Sequence, residues 1–345
     1  MSPSSRADRR GGTAPGKTAS RNLSVKLVEV PLNPLAPNAI TDLLPIGTIE
    51  IRVARWEATR VPAAGTVVLC TGRGEFIEKY AEVASELLAR GFAVVAFDWR
   101  GQGGSSRLVR DGRKGHVSDF DEFQADLDAI RSAVLEPHCP RPWFALAHSM
   151  GGAIAIAHAA GDRCMFDRIV LSTPMVEIYG LAAPRAIRAM ASTASRLGLG
   201  RLYVPGGSSR SVMMKPFEHN VLTSDPKRYA AFSALVSAAP ELAIGAPTQG
   251  WLNAAFRYMA EFHDVDFPRR ILTPMLVVAC GADSVVATRG IERFATRLKN
   301  ASLIVVPHAR HEVLMEQDHF RAQFWAAFDG FVPGSSSVTP PAIAS

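Results

Sequence analysis

The chain has 345 residues, 48% apolar and 20% charged, which suits one large α/β domain or two small ones with a sizeable buried core. Its net charge of +6 and pI of about 9.3 come from Lys and Arg scattered along the sequence. That spread argues against a nucleic-acid partner, which needs cations in runs or stripes, and leaves only weak attraction to anionic lipid. Cys70, Cys139, Cys164 and Cys280 are far apart with no CxxC pair, so they read as reduced thiols in a cytoplasmic protein, with Cys70 and Cys280 buried as small hydrophobes.

Residues 1–24 are basic, small and polar. They lack the apolar segment of a secretory signal and have no face to bury, so they are expected as a disordered tail. Short β-branched runs follow, predicted as strands at 48–56, 66–70, 93–98, 143–148, 168–172, 275–280 and 302–306. Uninterrupted apolar runs of this length suit strands buried on both faces of a parallel sheet. Between them, 76–91 has helical spacing and ends at Gly91, and 119–135 is an amphipathic helix that opens on acidic residues. Strands alternating with crossover helices predict an α/β, mostly parallel, doubly wound sheet.

The alternation stops after Met175. Helical stretches near 183–197, 226–238 and 249–262 predict a helical cap over 175–267, inserted in an α/β core of 25–174 and 268–332. Such an insertion falls at the carboxyl ends of the strands, where ligands of α/β sheets bind. The segment 333–345 is expected as a second disordered tail. The longest apolar stretch, 143–160, is broken by His148, Ser149 and His158 and does not read as a transmembrane helix.

Ser149 lies in "AHSMGG", after a strand and before a helical run of small residues. That is the context of a nucleophile elbow, whose tight turn needs small neighbours. Gly151 meets the need, and Ala147 adds a methyl where glycine is usual, predicting a slightly widened elbow. A serine hydroxyl needs an oriented base, with the partners following in the order acid, then histidine. Asp283, just beyond the strand at 275–280, fits the acid. His308, His311 and His319 can each supply the base. His311 follows a strand and opens a helical pattern, His308 lies nearer the strand end, and His319 falls well inside the last helix. A His308–His311 metal pair lacks a third ligand at suitable spacing. His158 reads as a helix-face residue. An oxyanion needs two backbone N–H donors, and Met150 and Arg73 are placed to give them. Arg73 is held between Gly72 and Gly74 in a loop after an early strand.

With these pieces the chain resembles an α/β hydrolase of the lysophospholipase and monoacylglycerol lipase group, the serine aminopeptidase-like hydrolases. "TGRGEFIEKY", "FDWRGQGGSS", "GHVSDFDEF", "AHSMGG", "GADSVV" and "HARHEVLMEQ" carry the resemblance, in order, from about residue 25 to 332. It implies Ser149, Asp283 and His311 as nucleophile, acid and base, with Arg73 and Met150 as oxyanion amides. It implies no metal or organic cofactor. The implied partner is a small ester, lipid-like, hydrolysed through an acyl-enzyme, with peripheral membrane contact as an option. Thr71 replaces the histidine that many members carry, which leans toward the lysophospholipase branch. Asp98 and His116 match family stretches but read as structural. A short-chain carboxylesterase, an amide hydrolase and a non-catalytic binder are the competing readings.

Overall fold

The computed structural model describes residues 25–162, 164–181 and 184–335. The expected tail 1–24 and residues 336–345 lie outside them. Of the residues expected in the second tail, Ser335 donates to Asp329 at 2.6 Å, and the Gly334 carbonyl accepts from Arg60.

Eight strands form one sheet: β1 (Ile40–Ile46), β2 (Ile49–Trp56), β3 (Thr66–Cys70), β4 (Ala93–Phe97), β5 (Trp143–His148), β6 (Arg168–Ser172), β7 (Met275–Cys280) and β8 (Ala301–Val306). Their spatial order is β1-β2-β4-β3-β5-β6-β7-β8; β2 is antiparallel to both its neighbours, β1 and β4, and every other pair is parallel. Seven strands match the runs read from sequence. β1 was not anticipated. It is a half-exposed edge strand with no continuous apolar run, and its Pro45 is tolerated at a sheet edge.

Among the described residues the helices of eight residues or more are α1 (Ala81–Ala89), α2 (Asp121–Ile130), α3 (Met150–Ala160), α4 (Pro184–Arg196), α5 (Pro226–Ala238), α6 (Gln249–Phe262), α7 (Thr288–Ala295) and α8 (Asp318–Phe331). Alternate residues of one strand feed opposite cores. Val68 and Cys70 join the cluster containing α2, α3, α6 and α7 side chains. Val67 and Leu69 join the cluster built with α1 and α8. This two-sided burial explains the uninterrupted apolar strands.

The helices differ from their sequence patterns at their ends. Residues 77–80 form a 3-10 turn before α1, and α2 continues through a π-helical turn at Arg131–Leu135. In the span expected as a cap, α4, α5 and α6 occur as read, and α4 packs on α6. Asp225 caps α5 by accepting the Lys227 and Arg228 amides, and Thr248 caps α6 by accepting that of Trp251.

Parallel register aligns the strand ends. Cys70 pairs with Ala147, His148 with Ser172, and Cys280 with Val306. The loops carrying Arg73, Ser149, Asp283 and His311 therefore leave the sheet at one edge.

Candidate active site

Ser149 sits in the turn between β5 and α3 at φ 50°, ψ −113°. A non-glycine residue there is strained, so the surroundings must hold it. Its carbonyl accepts from Ala153 and Met175, and its own amide donates to the Ser172 carbonyl. Gly151 makes the turn possible. A Cβ there would lie 2.2 Å from the Cys70 carbonyl oxygen and 2.6 Å from that of Thr71. Ala147, two residues before Ser149, is fully buried in the core.

His311 joins the other two groups. Its Nε2 is 3.1 Å from Ser149 Oγ, and its Nδ1 is 2.7 Å from Asp283 Oδ2. Asp283 Oδ1 accepts the amides of Val285 and Val286 at 2.7 and 2.9 Å. The His311 carbonyl accepts from the Thr173 hydroxyl at 2.8 Å. Asp283 and His311 are both buried.

His308 and His319 stay apart from this set. His308 is exposed in the turn after β8, at φ 62°. His319 is exposed near the start of α8, not well inside it, and its ring lies 3.8 Å from that of Phe320. His158 is fixed inside the protein: Nδ1 pairs with Gln124 at 2.9 Å, and Nε2 accepts the Met165 amide.

Met150 opens α3, so its N–H has no acceptor within the helix. The Arg73 N–H bonds to no other described residue. The loop carrying Arg73 is braced by Gln102, whose amide nitrogen donates to the Gly72 and Glu75 carbonyls and whose oxygen accepts the Gly74 amide. Asp98 accepts from Arg52, the Ile77 amide and the Gly104 amide. His116 Nδ1 pairs with Thr248 Oγ1 at 2.8 Å. Both residues thus fix loops.

A buried charged group behind the triad was not foreseen. Glu75 accepts from the Gly72 amide and from Tyr80. Lys79 lies 2.5 Å from Glu75 and 2.6 Å from Glu312, the neighbour of His311. Burial pushes the Glu75 carboxyl up, but Lys79 and His148 overcome it and hold it at about 2. His148 is pulled down to about 4, chiefly by burial. Glu75, His148 and Glu312 stand close enough to share a cation, and the Lys79 ammonium already lies between the two carboxylates. Nearness was legible, since Glu75 follows the glycine loop and Glu312 adjoins His311. Burial was not, because helical spacing puts Glu78 and Lys79 on the polar face.

A cavity of about 610 Å³ is lined by Val176, next in the chain to Met175 whose amide bonds the Ser149 carbonyl, by Ile178, Leu181, Phe256 and Met259, and by Glu177, Arg185, Arg188 and His263. A larger one, about 1430 Å³, lies between the 31–34 segment, α1, α5 and the start of α8. Ser149, Asp283 and His311 border neither cavity, so size alone marks neither as the site.

Comparison with known proteins gives the family and the fold. The family described as serine aminopeptidase, S33, matches residues 61–318. The chain belongs to this family. It is a serine ester hydrolase on the α/β-hydrolase fold. It is 31% identical to Lysophospholipase L2 of Escherichia coli K12 over 285 residues, covering 80% of this chain and 82% of that one. It is 32% identical to human Monoglyceride lipase over 174 residues, 50% and 54% of the two chains. A soluble variant of monoglyceride lipase from Saccharomyces cerevisiae shares the fold at a TM-score of 0.66 and 17% identity, over 85% of this chain and 95% of that one.

Proposed function

We propose that the chain hydrolyses lysophospholipids or monoacylglycerols through an acyl-enzyme, with Ser149 as nucleophile, His311 as base and Asp283 as acid. The observation that carries this reading is the unbroken relay Asp283–His311–Ser149, at 2.7 and 3.1 Å. Ser149 attacks the ester carbonyl as His311 takes its proton. Asp283 fixes the imidazole tautomer and stabilises the imidazolium. The amides of Arg73 and Met150 receive the oxyanion. His311 then protonates the leaving alcohol, and water repeats the sequence to free the acid.

The lipid preference is supported by the relatives and by the apolar side chains Val176, Ile178, Leu181, Phe256 and Met259 in the 610 Å³ cavity, which suit an acyl chain. The span 175–267 serves as the cap over that cavity. Turnover compared across lysophospholipids, monoacylglycerols and short p-nitrophenyl esters tests the substrate class. Faster turnover of the short esters would favour the carboxylesterase reading.

Peripheral contact with an anionic lipid surface belongs to the same reading. Residues 178–217 contain six Lys or Arg and no Asp or Glu. Among them Leu197, Leu199, Leu202 and Met214 are 70%, 46%, 51% and 50% exposed. Cations beside exposed apolar side chains suit the boundary between headgroups and acyl chains. Among the described residues no helix is long and apolar enough to cross a membrane.

A further inference from the structure

The side chain of Arg73, half-buried as a whole, is placed unlike the buried cations. Arg52, Lys79, Arg90 and Arg321 each face carboxylates. Among the described residues Arg73 faces none. Its guanidinium runs from the glycine loop toward the base of the cap. There Nη2 donates to the Gly245 carbonyl at 2.7 Å, and the guanidinium carbon stands 5.2 Å from the centre of the Trp251 ring. Nε is buried with no acceptor. Space has been left for the group: a Cβ on Gly115 would lie 2.3 Å from Nη2. Burial pulls the guanidinium down to about 10, and only the Tyr203 phenol acts against it. It therefore remains a cation at neutral pH.

A charge partly withdrawn from water without a counter-ion is destabilising, and an anionic ligand relieves it. The position narrows the choice of ligand. The backbone N–H of Arg73 is one proposed oxyanion donor, so the guanidinium is one side chain's length from the ester carbonyl. An anion within that reach is carried by the substrate itself. In an acylated glycerophosphodiester the phosphate is separated from the ester by the short glycerol chain, and a guanidinium fork matches phosphate oxygens.

We propose that the Arg73 side chain binds the phosphodiester on the alcohol side of the substrate ester, so that the site selects lysophospholipids over neutral monoacylglycerols. This inference rests on the serine ester hydrolase reading. Substitution at position 73 keeps the backbone N–H, which separates the side chain's part from the oxyanion donor.

The test measures kcat/KM for lysophosphatidylglycerol and for a monoacylglycerol with the same acyl chain, in the wild type, Arg73→Gln and Arg73→Lys. The lysophospholipid-to-monoacylglycerol ratio is expected to fall roughly ten- to a hundred-fold in Arg73→Gln, as for loss of a charge-assisted fork. The loss is expected mainly in KM, with Arg73→Lys in between. An unchanged ratio overturns the proposal, even if both rates drop, because Arg73 would then only hold the loop to Gly245 and Trp251. Inorganic phosphate added to the monoacylglycerol assay separates a substrate-borne anion from a free one. Strong inhibition of the wild type with an unchanged ratio would mark an effector site and also overturn the proposal. Fluorophosphonate labelling of Ser149 in the same preparations reports on the hydrolase reading independently of the ratio.

Discussion

Asp283 grips His311 at Nδ1 with one carboxylate oxygen and anchors itself to the Val285 and Val286 amides with the other. The carboxylate is fixed by backbone, so the imidazole it orients is fixed too. Replacement by asparagine keeps the shape but loses the acceptor that sets the tautomer. Asp283→Asn is expected to lower kcat by roughly 10⁴-fold, the loss seen for the same change in a serine protease triad, while the melting temperature changes little. A loss below ten-fold in an ester assay would contradict the role given to Asp283.

The choice among the late histidines rests on placement. Only His311 reaches Ser149, while His308 projects from an exposed turn. His311→Ala is expected to remove ester turnover by roughly 10⁴-fold or more, and His308→Ala to leave kcat within about two-fold, as for a surface change remote from the chemistry. The reverse pattern would reassign the base.

Gly151 is the steric hinge of the elbow. The added methyl of Gly151→Ala meets two backbone carbonyls that cannot rotate away, so β3 and α3 must part. A loss of about 3 kcal/mol or more is expected from the urea midpoint, at or beyond the usual range for overpacking. In Gly152→Ala the new Cβ lies 2.9 Å from the Pro174 side chain, and a smaller loss is expected. Equal losses would show that the hinge lies elsewhere.

The sheet and the meeting of Ser149, His311 and Asp283 were legible in the sequence because each rests on local signals. The buried strands are apolar throughout, and Ser149, Asp283 and His311 each follow one of them. β1 left no such mark, since an edge strand half open to water alternates weakly. The charged group of Glu75, Lys79 and Glu312 was hidden for another reason. Its members satisfy one another across two segments far apart in the chain, and helical spacing assigns charged residues to solvent. His319 was placed too deep in its helix because nothing in the apolar spacing marks the start at Asp318.

His148 gives stability a pH dependence. Burial lowers it from 6.5 to about 4, with Glu75 and Asp283 acting to raise it and His311 and Lys79 to lower it. A histidine depressed by folding is neutral in the native state and protonates more readily when unfolded. Its contribution is complete above pH 6.5 and is lost as pH falls toward 4. The lost part is about 3 kcal/mol by linkage. His148→Gln is expected to flatten the fall in unfolding free energy between those limits, relative to wild type. Parallel pH profiles would contradict this origin.

The basic cap predicts salt-sensitive binding to vesicles. Replacing Arg185, Arg188, Arg196 and Arg201 together by glutamine is expected to weaken binding to phosphatidylglycerol-containing vesicles by about 1 kcal/mol per residue. Binding to neutral phosphatidylcholine vesicles should be weak before and after. Undiminished binding by the quadruple variant would remove the cap from the interface.

The central claim is that Ser149 is an activated nucleophile. Labelling by a fluorophosphonate probe, read by mass spectrometry of the modified peptide, tests it most directly. The account predicts one adduct, on Ser149, abolished in Ser149→Ala and strongly slowed in His311→Ala. Folded wild-type protein that fails to react, or a Ser149→Ala variant that still labels, would contradict it.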